Sequence, residues 1–346
     1  MREIRWKQAM RAPVAVAVGL AAFLAAGACA AAQSPHDIWL ISTRSAPWSN
    51  PVGGEDRIVY WHLDADKNWE QTDLDAFLAT DDPAVPTCIY IHGNRTTHGG
   101  AVREGWSVSQ KLKREAPDRP LRFVTWSWPA NQIRGIRQDV QVKAYRSDVQ
   151  AYYLAYLLGR MNPEVRVGMI GYSFGARTIT GALHLLAGGR FAGRTLPEGT
   201  APVERTPARA VLVAAAMSAH WLSPGGANGL ALSLADRVLV TRNRYDPVLQ
   251  YYPRMYGRGG PHALGYTGPA RSSQLGEQRE KVEILPVERY VGSNHALQGY
   301  LRSSLVRSRL AWYAFLEPPP AEADATKGDA TKADAREADT PNRDDS

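Results

Sequence analysis

Two periodicities alternate between residues 87 and 316. TCIYIHGN (87–94), LRFVTWSWP (121–129), VRVGMI (165–170), ARAVLVAAAM (208–217), RVLVTRNR (237–244) and KVEILPVE (281–288) are short, β-branched and almost continuously apolar. That is the pattern of strands covered on both faces. Between them apolar positions recur at three and four. Helices are predicted over 101–116, with Val102, Trp106, Leu112 and Ala116 inward, and over 139–161, with Val142, Tyr145, Val149, Tyr152, Tyr153, Tyr156 and Leu157 as the packed stripe. A further helix begins near 175 (Ile179, Leu183, Leu186), and another spans 300–316 (Leu301, Leu305, Leu310, Trp312, Tyr313, Leu316). Alternation of this kind predicts an α/β domain with a mostly parallel central sheet and helices on both faces. Ahead of it, DIWLISTR (37–44) and RIVYWHLD (57–64), separated by Pro47, Pro51, Gly53 and Gly54, read as a hairpin or a pair of opening strands.

The ends of the chain differ from this body. Arg2, Arg5, Lys7 and Arg11 precede an Ala/Val/Leu/Phe stretch from Ala12 to Ala32, the pattern of an export signal with cleavage expected near Ala32. That assigns 1–32 to targeting and the mature protein to the secreted or periplasmic space. Retention of the stretch as a membrane anchor, or a lipid on Cys29, are the alternatives, and either would put the protein at a membrane. From Glu317 to Ser346 the chain is biased to Ala, Asp, Lys and Thr with no apolar face, and is read as a disordered tail. One domain, 33–316, remains.

Formal charge is +7 overall; the tail's nine acidic and four basic residues make it −5, which leaves +12 on the rest. The arginines and lysines are scattered, with no nucleic-acid-binding signature, so a nucleic-acid partner is not predicted. Cys88, the only cysteine after the export segment, sits in an apolar strand and reads as a core residue; no disulfide and no Cys/His zinc spacing is possible. There is no H-E-x-x-H, no P-loop and no dinucleotide fingerprint, so no metal and no cofactor is predicted. Nothing in the sequence specifies an oligomeric state.

The chemistry concentrates where one strand becomes a helix. VRVGMI runs into Gly171-Tyr172-Ser173-Phe174-Gly175, and a helical pattern follows at once. Strand, G-x-S-x-G, helix is the context of a nucleophile elbow, in which a tight turn exposes a serine hydroxyl. Such a serine needs a base, a group that orients the base, and donors for the oxyanion formed on attack. In a parallel sheet all of these lie beyond the carboxyl ends of strands. Of eight histidines, His295 follows the last strand and can reach across the sheet edge, whereas His184 lies too far along the elbow helix. Asp246 stands just past the strand 237–244, its competing reading being a turn residue before Pro247; Asp236 begins that strand and falls on the wrong edge. The N–H of Phe174 supplies one oxyanion donor, and the turn His92-Gly93-Asn94 offers a second at the Asn94 N–H. His92 is read as bracing that turn.

With the HGN turn, GYSFG between strand and helix, an Asp after the penultimate strand, a His after the last and the order Ser…Asp…His, residues 87–316 resemble the α/β-hydrolase superfamily. The resemblance implies an α/β-hydrolase fold, a Ser173 nucleophile, a His295 general acid/base and an Asp246 orienter. An acyl-serine would then be released by water. Within the superfamily the chain looks most like little-characterised exported bacterial hydrolases. The short segment 218–236 and the absence of extra glycines in the oxyanion loop argue against a large lid and for an open pocket.

By position, the expected pocket walls are Tyr172 and Phe174 beside the nucleophile, Trp126 and Trp128 at a strand end, and His220 and Trp221 after another strand; Arg95 reads as a surface residue, with an anionic substrate group as its alternative partner. The expected substrate is a small carboxylic ester or related acyl compound. Amide hydrolysis or acyl transfer would use the same three residues. Competing readings from another class are a non-catalytic binding protein on the same fold and an envelope protein acting through its basic surface.

Overall fold

The computed structural model describes residues 36–200, 204–257 and 259–316. The predicted export segment 1–32, with Cys29, and the biased tail 317–346 lie outside the described residues.

Among the described residues, nine strands form one sheet: β1 (His36–Ser42), β2 (Val59–Leu63), β3 (Trp69–Thr72), β4 (Thr87–Ile91), β5 (Leu121–Ser127), β6 (Val167–Tyr172), β7 (Ala208–Val213), β8 (Ala235–Arg242) and β9 (Val282–Pro286). Their order is β3-β2-β1-β5-β4-β6-β7-β8-β9. β1 and β4 to β9 pair in parallel, and the antiparallel pairings are β1 with β2 and β2 with β3 at one edge. The protein is therefore an α/β fold with a mostly parallel sheet. β4 and β5, buried at every position, explain the unbroken apolar runs. β3 escaped the sequence reading because WEQT lies half in solvent on the edge and has little apolar content.

The helices are α1 (Leu74–Leu78), α2 (His98–Glu115), α3 (Ile136–Arg160), α4 (Gly175–Leu186), α5 (Pro247–Tyr251), α6 (Leu264–Thr267), α7 (Glu288–Val291), α8 (Leu297–Arg302) and α9 (Ser304–Tyr313). α3 and α4 cover one face of the sheet, and α2 and α9 the other. Gly168 and Gly171, an odd number of residues apart on β6, face opposite ways. A Cβ on Gly168 would meet the Tyr313 carbonyl at the end of α9, and one on Gly171 would meet Ile179 of α4.

Three helix expectations need correction. α2 turns Trp106 outward and buries Ala101, Gly105, Val108, Ser109 and Leu112. Gly105 sets this rotation, since its Cα rests against Thr125 so closely that any Cβ would sit 2.0 Å from the threonine Oγ1. The single C-terminal helix divides at Ser303, which is extended (φ −72°, ψ 121°) and caps α9 by accepting the Val306 N–H.

The third concerns the first half of α3, which buries a polar row rather than the apolar stripe. Asp139, Lys143, Ser147 and Gln150 are inside, whereas Tyr145 is exposed. Most of the row's polar atoms are paired, although Gln150 Nε2 has no partner among the described residues. Asp139 Oδ1 accepts from Lys143 Nζ (3.0 Å), and Gln150 Oε1 accepts from Thr43 (2.5 Å) and Trp126 (3.1 Å).

Candidate active site

The elbow begins where β6 ends. Ser173 has φ +55°, a left-handed conformation that costs a non-glycine residue about 1–3 kcal/mol. Surrounding bonds hold it there. Its N–H donates to the Val213 carbonyl (2.9 Å), and its carbonyl accepts from Ala176 and Ala216 (3.2 Å each). The flanking glycines are required by space. A Cβ on Gly175 would lie 2.3 Å from the Ile91 carbonyl oxygen, and one on Gly171 would lie 2.7 Å from Gly175 backbone.

Three side chains converge on this turn. His295 Nε2 is 3.2 Å from Ser173 Oγ, and His295 Nδ1 is 2.7 Å from Asp246 Oδ2. Asp246 is fully buried. Its other oxygen, Oδ1, accepts the Val248 and Leu249 N–H groups (2.9 and 3.1 Å) as the N-cap of α5. The turn reading and the orienting reading of Asp246 are thus one arrangement, with an oxygen given to each. A carboxylate only accepts, so Nδ1 carries the imidazole hydrogen and Nε2 is left to accept from the Ser173 hydroxyl. The loop bearing His295 is tied down from two sides, by Tyr172 Oη donating to the His295 carbonyl (3.0 Å) and Asn243 Nδ2 donating to the Gly292 carbonyl (2.8 Å). Asp236, by contrast, pairs with Arg209.

The turn after β4 lies against the elbow: a Cβ on Gly93 would be 3.1 Å from the Ser173 Cβ. Among the described residues the N–H groups of Asn94 and Phe174 donate to no acceptor. His92 braces this turn. Its Nδ1 donates to the Gly93 carbonyl (2.8 Å), its Nε2 accepts the Trp128 N–H (3.1 Å), and its ring stacks on Trp128 at 5.4 Å. Burial, assisted by the Arg44 charge and opposed by the Gly93 bond, pushes its pKa down to about 3, so the imidazole is neutral.

Asp139 ties the same turn to α3. Its carboxylate accepts from Asn94 Nδ2 (3.2 Å), Arg95 Nε (2.9 Å), the Ile133 N–H (3.0 Å) and Lys143 Nζ (3.0 Å). Burial works to raise its pKa, but the bonds from Arg95, Ile133 and Lys143 and the Lys143 charge outweigh it and hold the group at about 2, against an ordinary 3.8. A depressed carboxyl pKa stabilises the fold above its unfolded value. The contribution of Asp139 is therefore complete above about pH 5 and is lost as pH falls through 3.8 toward 2. Asp139→Ala leaves the fully buried Lys143 without its partner and is expected to cost about 3–5 kcal/mol. Urea denaturation at pH 7 checks this, and the gap between wild type and variant should narrow at pH 2.

Ser173 and His295 open onto a cavity of ≈ 450 Å³. Tyr172 and Phe174 line it, as does Asn94. Four expected wall residues do not. Trp126 is a fully buried core residue bonded to Gln150, and Trp128 is equally buried, donating its indole N–H to the His92 carbonyl (2.9 Å). Trp126 lies within β5 and Trp128 directly after its end, stacked on His92, so both rings stay inside the core. His220 is exposed, and Trp221 lies under Arg177 (4.4 Å) and edge-on to Phe191. After β7 the chain turns at Ala214 (φ +47°), so that Ala216 borders the cavity and 218–230 folds back over α4.

The walls come instead from Ile136 and Val140 of α3 and from Val248, Tyr251, Tyr252 and Met255. A sequence signal existed for the second group: PVLQYYPRMY (247–256) follows Asp246 directly, at the carboxyl edge where a site must be. Arg177 fixes that segment from below. It forms a bidentate pair with Asp148 (3.0 and 2.9 Å) and donates to Tyr256 Oη (3.2 Å). Cys88 is buried, and burial pushes its thiol pKa up. Among the described residues no three His, Cys, Asp or Glu side chains converge as metal ligands.

No protein-family model matches the chain, and no curated protein matches it.

Proposed function

We propose that the protein is an exported serine hydrolase of the α/β-hydrolase type that cleaves a carboxylic ester. The observation that carries this reading is the chain of contacts from a strained, strand-to-helix serine through His295 Nε2 to the buried Asp246. In the proposed cycle Ser173 Oγ attacks the ester carbonyl while its proton passes to His295 Nε2. Asp246 stabilises the imidazolium that results. The tetrahedral oxyanion is met by the Phe174 and Asn94 N–H groups, which have no other acceptor among the described residues. Collapse returns the proton to the leaving alcohol and leaves an acyl-serine. Water, deprotonated by His295, then attacks the acyl carbon and releases the acid. The mostly apolar cavity walls favour a substrate with a largely apolar body.

A fluorophosphonate probe tests the nucleophile. Purified protein is expected to be labelled stoichiometrically, and Ser173→Ala not at all. A folded wild-type protein that takes no label would sink the reading, and label persisting in Ser173→Ala would put the nucleophile elsewhere.

A further inference from the structure

Among the described residues, the cavity has one permanently charged residue on its wall, Arg95. Its guanidinium is held from behind: Nε donates to Asp139 Oδ2, while among the described residues Nη1 and Nη2 donate to nothing. Its backbone is left-handed (φ +58°), a strained conformation for arginine, and its side chain is 42% exposed. Asp139 does not neutralise it. That carboxylate is shared between Arg95 and the buried Lys143, so two cations face one anion and the group carries a net charge of about +1. Asp246 is enclosed beneath His295 with both oxygens hydrogen-bonded and does not line the cavity, so the charge presented at the described wall is that of Arg95.

We infer that Arg95 is an anion subsite and that the substrate is an ester bearing a single carboxylate on an otherwise apolar body. This rests on the serine hydrolase reading of Ser173. The two unpartnered Nη groups are coplanar donors that match the two oxygens of a carboxylate. A surplus of one charge balances a monoanion, and would leave a phosphate monoester, with its charge near −2, about half compensated. The remaining lining residues, among them Ile136, Val140, Val248, Tyr251 and Met255, accept the apolar part. The subsite adjoins Asn94, so the carboxylate would sit a short span from the scissile carbonyl.

The test uses the full chain and three esters of similar size: neutral 4-nitrophenyl pentanoate, mono-4-nitrophenyl glutarate with the carboxylate on the acyl side, and 4-carboxyphenyl pentanoate with it on the alcohol side. Enzyme-free rates are subtracted. The readout is kcat/KM for each anionic ester divided by that for the neutral one. In wild type this ratio is expected to exceed about 10 for one of the two anionic esters. It should fall about 10- to 100-fold in Arg95→Gln, mainly through KM, as expected for loss of a charged hydrogen bond. Arg95→Lys should keep part of it, Arg95→Glu should lower it further, and raised salt should weaken it in wild type.

Ratios that stay within about twofold in Arg95→Gln and Arg95→Glu, while the neutral ester is still turned over, overturn the subsite and leave the hydrolase reading standing. If no ester is turned over and no fluorophosphonate label is taken, the hydrolase reading falls. The subsite is then judged by calorimetric titration of pentanoate, a single carboxylate on an apolar chain, into wild type and Arg95→Glu. Binding that Arg95→Glu abolishes supports it, and equal binding to both, or none to either, overturns it.

Discussion

Ser173→Ala is expected to lower kcat for an activated ester by about 10⁴- to 10⁶-fold, and adding His295→Ala to cost little more. The reason is the single hydrogen bond between them. Ser173 Oγ is a weak nucleophile unless its proton can pass to Nε2, 3.2 Å away. Removing either partner therefore removes the same step. What survives is binding in the cavity and the Asn94 and Phe174 N–H groups, which still act on an oxyanion formed by water. Those are worth about 10³- to 10⁴-fold over water in comparable sites. Measuring kcat for both single variants and the double variant decides the matter. Losses that multiply would show that Ser173 and His295 act separately, and the proposed mechanism would be wrong.

Asp246→Asn is expected to lower kcat by about 10⁴-fold while leaving the fold almost as stable as before. The two ends of the carboxylate predict this separation. Oδ1 accepts the Val248 and Leu249 N–H groups, so in the variant the amide oxygen stays at the cap and the NH₂ turns toward His295. An NH₂ can only donate to Nδ1, which forces the imidazole hydrogen onto Nε2. Nε2 then donates toward Ser173 instead of accepting its proton. Asp246→Ala removes both functions, and should add a loss of about 1 kcal/mol in stability for the missing cap. Paired kcat and thermal-unfolding measurements separate the two effects. An Asp246→Asn protein within tenfold of wild-type kcat would rule out the orienting role.

The site was legible in outline because parallel α/β architecture puts functional residues in predictable places. An apolar strand followed by G-x-S-x-G located Ser173. The same logic, applied to the residues after β8 and after the last strand, located Asp246 and His295, and the structure brings all three within hydrogen-bond reach. The pocket was less legible. Trp126 and Trp128 have the composition of a wall and the position of a strand end, but the rings were absorbed by the core and by His92. Nothing local distinguishes those outcomes, because whether a ring at a strand end points outward depends on the layer packed against it. The buried row Asp139, Lys143, Ser147 and Gln150 was hidden for the opposite reason. Polar residues at helical spacing read as a solvated face unless their partners, contributed by Thr43 after β1, by β5 and by the turn after β4, are known.

By itself, then, the order of residues determined the alternation of strands and helices, the parallel sheet and the position of the elbow. Each of these follows from short-range periodicity and from steric limits on a few glycines. The tertiary structure alone decided which helix face is inward, which aromatic rings are core and which residues wall the cavity. It also decided that, among the described residues, two Arg95 donors have no acceptor while Asp139 is shared with Lys143. Those outcomes depend on contacts between residues tens of positions apart, and no local pattern carries them.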